Sequence, residues 1–85
     1  MNVIWSIDNC GFCDKAKKLL EDYGFSYEVK NIYENHEEFI QQFPEAKSAP
    51  QVVFNGRHVG GYDGLYQEFE DTDILRNGGR HGTSM

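Results

Sequence analysis

Long apolar runs are missing from this chain, and basic residues are scarce. No stretch approaches the roughly 18–20 apolar residues that a helix needs to span a bilayer. Eight Lys+Arg stand against 14 Asp+Glu, a net charge of −6. A nucleic-acid-binding domain carries a basic face, so this balance argues against one, and it disfavours docking on anionic membranes. The N-terminal stretch Met1-Asn2-Val3-Ile4-Trp5-Ser6-Ile7-Asp8 has neither a basic segment nor a long apolar one, so no signal peptide is expected and the expected location is the cytoplasm. With only two cysteines, a disulfide-stapled secreted scaffold and a four-cysteine zinc site are both excluded. What is present is enough for one modest core: 85 residues, 39% hydrophobic and 14% aromatic, too apolar for a disordered chain.

Residues 3–7 are β-branched and aromatic and stop at Asp8-Asn9, which reads as a buried strand. Over residues 13–23, Ala16, Leu19, Leu20 and Tyr23 recur at helical spacing, with Lys15, Lys17, Lys18, Glu21 and Asp22 on the other face. Gly24 closes this helix. Residues 25–32 alternate imperfectly and read as a second strand. Asn35, with Glu38 three residues on, resembles a capping box opening a helix whose Phe39, Ile40 and Phe43 face inward, and that helix stops at Pro44. Asn55-Gly56 between Gln51-Val52-Val53-Phe54 and Arg57-His58-Val59-Gly60 specifies a hairpin. Asp63 is placed to cap a third helix carrying Leu65, Tyr66 and Phe69. Residues 1–75 read as a single domain, and the glycine-rich stretch 76–85 as a flexible tail.

The order β-α-β-α-β-β-α gives an α/β fold: a four-stranded mixed sheet with three helices distributed over both faces. Trp5, Phe25, Tyr27, Phe39, Phe43, Phe54 and Phe69 are its expected core, while His36 and His58 are expected on solvated faces.

Cys10 and Cys13 form a C-x-x-C at the strand-to-helix turn. Orphan N–H groups and the helix dipole favour an anion there, and a thiol in such a place falls from about 8.5 into the range of roughly 3.5–7.5. Cys13 lies one turn further on the same face, within reach of a disulfide. Cys10 is therefore the expected nucleophile and Cys13 the resolving thiol. Half of a zinc site and a pair of inert packing cysteines are the competing readings. The first lacks a His-x₃₋₅-His partner among His36, His58 and His81; the second fits poorly with a helix start. A C-x-x-C beside a β-α-β pattern is a thioredoxin-like signal.

Three segments carry a more specific resemblance: Cys10-Gly11-Phe12-Cys13, Ser48-Ala49-Pro50-Gln51 and Gly60-Gly61-Tyr62-Asp63. Across residues 3–69 the chain resembles a glutaredoxin, of the thioredoxin-like superfamily, and in its small size the T4-like phage type. The resemblance implies a glutathione-dependent dithiol–disulfide oxidoreductase, acting as a monomer on protein disulfides and glutathionylated proteins. Ribonucleotide reductase is a client the family implies. It further implies a cis Ala49–Pro50 bond, Ala49 offering its backbone to the cysteinyl part of glutathione, and Gly61, Tyr62 and Asp63 holding its γ-glutamyl end. Phe12 and Pro50 belong to the same site. Asp63 as a plain helix cap is the competing reading.

The chain departs from the family where a lysine usually precedes the first cysteine; here the stretch is Ser6-Ile7-Asp8-Asn9. Lys47 stands either as a substitute for that lysine, toward the glycyl carboxylate, or as a solvated surface residue. Gly11 replaces a frequent proline, which raises a different class of function: a carrier in which two subunits ligate a [2Fe–2S] cluster through Cys10 and glutathione. The resolving thiol Cys13 argues against that reading, and no resident metal is expected. The third-helix region also ends early for the family.

Overall fold

Val3–Ser6 (β1) is buried along its whole length, because it lies inside a sheet covered on both faces. Successive side chains of a strand point to opposite faces. Ile4 thus enters one core cluster, while Val3 and Trp5 enter another. The computed structural model describes residues 1–77, and the expected tail falls outside that range from residue 78 onward.

Seven further elements follow: Gly11–Asp22 (α1), Glu28–Asn31 (β2), His36–Gln42 (α2), Gln51–Phe54 (β3), Arg57–Gly60 (β4), Tyr62–Asp71 (α3) and the short Ile74–Asn77 (α4). The sheet order is β2-β1-β3-β4, with β1 parallel to β2 and antiparallel to β3. This is the four-stranded mixed sheet expected from the sequence, with α4 as an added turn that the pattern did not disclose. The hairpin between β3 and β4 turns at Asn55 and Gly56, at φ 52° and 80°, the left-handed pair that a two-residue primed turn requires.

One core cluster joins Ile4, Ala16, Leu20, Val52, Phe54, Leu65 and Phe69 between the sheet, α1 and α3. Phe25 meets Phe54 edge-on at 5.1 Å, and Phe54 and Phe69 lie 5.3 Å apart. The opposite cluster joins Val3, Trp5, Ile32, Phe39 and Phe43 under α2, with Trp5 5.5 Å from Phe39. Aromatic pairs in such geometries contribute about 0.5–1.5 kcal/mol each beyond the area they bury.

Several expectations are corrected. The first strand ends at Ser6, and the second covers only Glu28–Asn31, because β1 offers just the four partners Val3 to Ser6 in register. Phe25 is taken up instead by the end of α1. Its N–H donates to Leu20 O while that of Gly24, at φ 82°, donates to Glu21 O, the Schellman arrangement. The first helix starts at Gly11, two residues before its apolar period begins. Asn35 does precede α2, but its side chain donates to the Asn31 carbonyl rather than capping, and Glu38 reaches Lys30 at 2.9 Å. Ile40 is exposed, since α2 has only two turns and Phe39 and Phe43 already fill its inner face. Asp63 is not the N-cap of α3; Gly61 is, and Asp63 sits in the first turn. His58 is exposed but partnered: its ring lies 4.5 Å from that of Phe43, and Nε2 is 2.8 Å from Gln51 Oε1.

Candidate active site

Between β1 and α1 the chain reverses at Asn9, whose φ of 56° is a left-handed conformation that asparagine tolerates better than most residues. That turn sets Cys10 as the N-cap of α1 in extended conformation, φ −117° and ψ 108°. Its Sγ accepts the N–H of Cys13 at 3.1 Å. A thiolate in this place gains the same donor and the positive end of the helix dipole. Cys13, one turn on, is 1% exposed, whereas Cys10 is partly open to solvent. The two are joined as a disulfide, with 5.2 Å between their Cα atoms. The pair therefore stores two electrons' worth of exchange chemistry at a helix start, with one sulfur accessible and the other shielded.

Cys10 Sγ lies 3.8 Å from the carbonyl oxygen of Ala49. A disulfide sulfur has no proton to donate, so in the oxidised form this is a contact; a Cys10 thiol can donate there. The Ala49–Pro50 bond is cis, as the resemblance implies. Gln51 pins the preceding turn by donating to the Ser48 carbonyl at 2.9 Å.

Beside the sulfurs is a hollow of about 280 Å³ lined by Phe12, Ser48, Ala49, Pro50, Gly61, Tyr62 and Asp63. The structure thus brings together every non-cysteine residue singled out from the sequence except Lys47, and adds Ser48. Lys47 borders a neighbouring depression with Ile7, Ile32 and Tyr33, on the far side of Ser48 and Ala49. A larger hollow of about 470 Å³ opens on the α2 face among Trp5, Lys30, Phe43 and His58, and shares no lining residue with the smaller one. Ala49, whose carbonyl oxygen lies 3.8 Å from Cys10 Sγ, and Phe12, between the two cysteines, line the smaller one, and that proximity rather than size marks it as the site.

α3 points its start at this hollow. Gly61 supplies no capping side chain, and the first helical bond runs from Leu65 N–H to Gly61 O at 3.0 Å. The N–H groups of the first turn therefore lack helical acceptors, an arrangement suited to an anion. A Cβ on Gly61 would stand 3.4 Å from the Pro50 carbonyl oxygen, so the two walls of the hollow approach closely there.

Lys15 gains a placement that the sequence showed only as one of the charged residues on the outer face of the first helix. Its Nζ lies 5.2 Å from the Phe12 ring centroid and 6.0 Å from that of Tyr62. The i, i+3 spacing from Phe12 is the signal that could have located it. Among the described residues no group of three or more His, Cys, Asp and Glu side chains converges on a metal position, and no helix is long and apolar enough to cross a membrane.

A family model described as Glutaredoxin matches residues 2–59. Glutaredoxin 1 of Rickettsia conorii is 35% identical over 68 residues, covering 75% of this chain and 67% of that protein. Glutaredoxin 3 of Escherichia coli K12 is 33% identical over 66 residues, covering 74% of this chain and 78% of that one. The crystal structure of the buckwheat glutaredoxin–glutathione complex shares the fold, with a TM-score of 0.71 at 24% identity over 88% of this chain and 73% of that chain. With the family model spanning more than half of its length and its cysteine pair at the start of α1, the chain belongs to the glutaredoxin family and is a thiol–disulfide oxidoreductase of thioredoxin-like fold.

Proposed function

We propose that this protein is a glutathione-dependent reductase of protein disulfides and glutathione mixed disulfides. The observation that carries the reading is the hollow beside Cys10, bounded by the Ala49–Pro50 backbone and the start of α3. Glutathione is a short peptide with a carboxylate at each end, an ammonium at one of them and a thiol between. The Ala49 backbone suits pairing with its cysteinyl unit as a one-residue β-addition. The open N–H groups of α3 suit the γ-glutamyl carboxylate, and Asp63 suits the ammonium. Phe12, Pro50, Gly61 and Tyr62 supply the walls. Lys47, beyond Ala49 from Asp63, suits the glycyl carboxylate and takes the part of the missing lysine before Cys10.

The Cys10 thiolate attacks the glutathionyl sulfur of a mixed disulfide, forming Cys10–S–S–glutathione and releasing the client thiolate. A second glutathione thiolate then attacks the adduct, yielding oxidised glutathione and restoring the Cys10 thiolate. With a protein disulfide, Cys10 forms a mixed disulfide with the client, and Cys13 displaces the client's sulfur to give the Cys10–Cys13 disulfide. Two glutathiones reduce that disulfide. This chemistry suits a monomer working in a reducing cytoplasm, and a ribonucleotide reductase is a client consistent with it.

Turnover of a glutathionylated peptide, followed as oxidised glutathione released, tests the reading. Turnover should saturate with the glutathionylated substrate. Asp63→Asn should raise KM by about tenfold, the loss of one charge-assisted hydrogen bond, without changing the alkylation rate of reduced Cys10. A wild type that alkylates readily at Cys10 yet does not turn over with glutathione would refute the assignment and point to another reductant.

A further inference from the structure

Three rings form a contiguous line that starts between the two cysteines, with two of them exposed and the one between them half-buried. Phe12, the residue before Cys13, is 57% exposed, and Tyr66, one turn into α3, is 40% exposed. Tyr62 bridges them, with ring centroids 6.3 Å from Phe12 and 6.2 Å from Tyr66. The line is built by two helices that meet at the site: Phe12 and Lys15 at i, i+3 on α1, Tyr62 and Tyr66 at i, i+4 on α3. The other exposed large apolar side chains, Met1, Val29, Tyr33 and Ile40, make no such chain of ring contacts.

Lys15 lies over the first two rings of this ridge. Lys17, Lys18, Lys30 and Arg57 each face a carboxylate, whereas Lys15 has none within ion-pair distance among the described residues. A cation held on aromatic faces beside a reactive sulfur, with its charge uncommitted, is available to an anion arriving with the substrate. The chain as a whole is acidic, but at physiological salt the screening length is about 8 Å, so the nearest charge governs what docks.

The geometry points to the Phe12–Tyr62–Tyr66 ridge, with Lys15 over it, as the docking surface for a protein client that carries an apolar side chain and a carboxylate next to its reacting sulfur. The activity itself supplies the argument for occupancy. Cys10 exchanges only with a sulfur brought into contact with it, and Cys13 is buried, so a polypeptide client must cover the surface adjoining Cys10. The ridge is the apolar part of that surface. This inference rests on the reading of the protein as a reductase of protein disulfides but not on glutathione, because it concerns the client and not the thiol that recycles the enzyme.

The test uses the full chain, reduced, in single turnover with two synthetic peptides. In each, a single cysteine is blocked as a mixed disulfide with 2-mercaptoethanol and flanked by phenylalanine; one peptide adds two aspartates, the other two lysines. Bis(2-hydroxyethyl) disulfide is the small control. In each reaction the protein dithiol becomes the Cys10–Cys13 disulfide while the substrate disulfide becomes two thiols. Lys15→Glu should shift the acidic-to-basic rate ratio about fivefold toward the basic peptide, and Lys15→Gln should shift it by about half as much on a logarithmic scale. Using the ratio cancels any change in Cys10 reactivity. Tyr66→Ser should slow both peptides about threefold and leave the small disulfide unchanged. A ratio that moves less than about twofold in Lys15→Glu, or a Tyr66→Ser variant that treats peptides and small disulfide alike, would overturn the inference.

Discussion

Gly64→Ala sets local propensity against tertiary packing at one position. Gly64 lies in the first turn of α3, where alanine is favoured over glycine by about 1 kcal/mol on propensity alone. A Cβ at this position would stand 1.8 Å from the carbonyl oxygen of Val59 and 2.8 Å from its carbonyl carbon. Restoring ordinary contact means parting α3 from β4 by roughly 1.5 Å or more. The obstacle is the backbone of a paired strand, which cannot rotate aside as a side chain can. The bulge between Val52 and Val53, where the β4 pairing skips from Gly60 to His58, carries Val59 into this approach. Overpacking costs typically run to about 1–3 kcal/mol, and a backbone clash belongs at or above the top of that range. Less the propensity gain, the net loss of stability should be about 2 kcal/mol or more. Because Gly61, Tyr62 and Asp63 belong to the same helix start, the shift should also open the hollow and raise KM for a glutathionylated peptide. Urea unfolding followed by fluorescence of the buried Trp5 gives the stability change directly. Gly11→Ala is the control, since a Cβ there meets nothing within 4 Å; it should be neutral or stabilising by up to about 1 kcal/mol. A Gly64→Ala protein as stable as the wild type would refute the reasoning.

The division of labour between the cysteines follows from their exposure. Cys10→Ser should abolish thiol exchange, whereas Cys13→Ser should keep turnover of small glutathione mixed disulfides and lose most protein-disulfide reduction; iodoacetamide at pH 6 should modify Cys10 first in the reduced protein, and preferential labelling of Cys13 would reverse the roles. Burial, reinforced by the hydrogen bond to Glu21 and that carboxylate's charge, pushes the Tyr27 phenol from 10.0 up to about 12. Its contribution to stability is therefore complete below pH 10.0 and is lost progressively as pH rises toward about 12. Urea midpoints of wild type and Tyr27→Phe should converge over that interval, and a difference that stays constant would refute the linkage.

Patterns that depend on near neighbours are legible in the amino-acid sequence alone. The Asn55-Gly56 hairpin, the helix closed by Gly24 and the C-x-x-C at a helix start each follow from conformational preferences spanning a few residues. The sequence determined the sheet and its element order for the same reason: strand and helix periods differ, and short connections leave few topologies. It also marked the residues that frame the hollow, through three short segments whose resemblance to one family was specific. What it could not determine were outcomes of competition between segments far apart in the chain. The second strand shortened because β1 has only four residues to pair with, and Glu38 turned to Lys30 instead of capping its own helix. Lys47 and Asp63 came to lie on opposite sides of Ala49, and Lys15 came to rest over rings from two helices, because helix packing on the sheet set those distances. Gly64 is the plainest case. In sequence it is a weak residue for a helix; in the folded chain it is the residue without a Cβ where a bulged strand comes within contact of the helix backbone. Propensity is local and small, whereas excluded volume acts between any two parts of the chain that the fold brings together, and there it prevails.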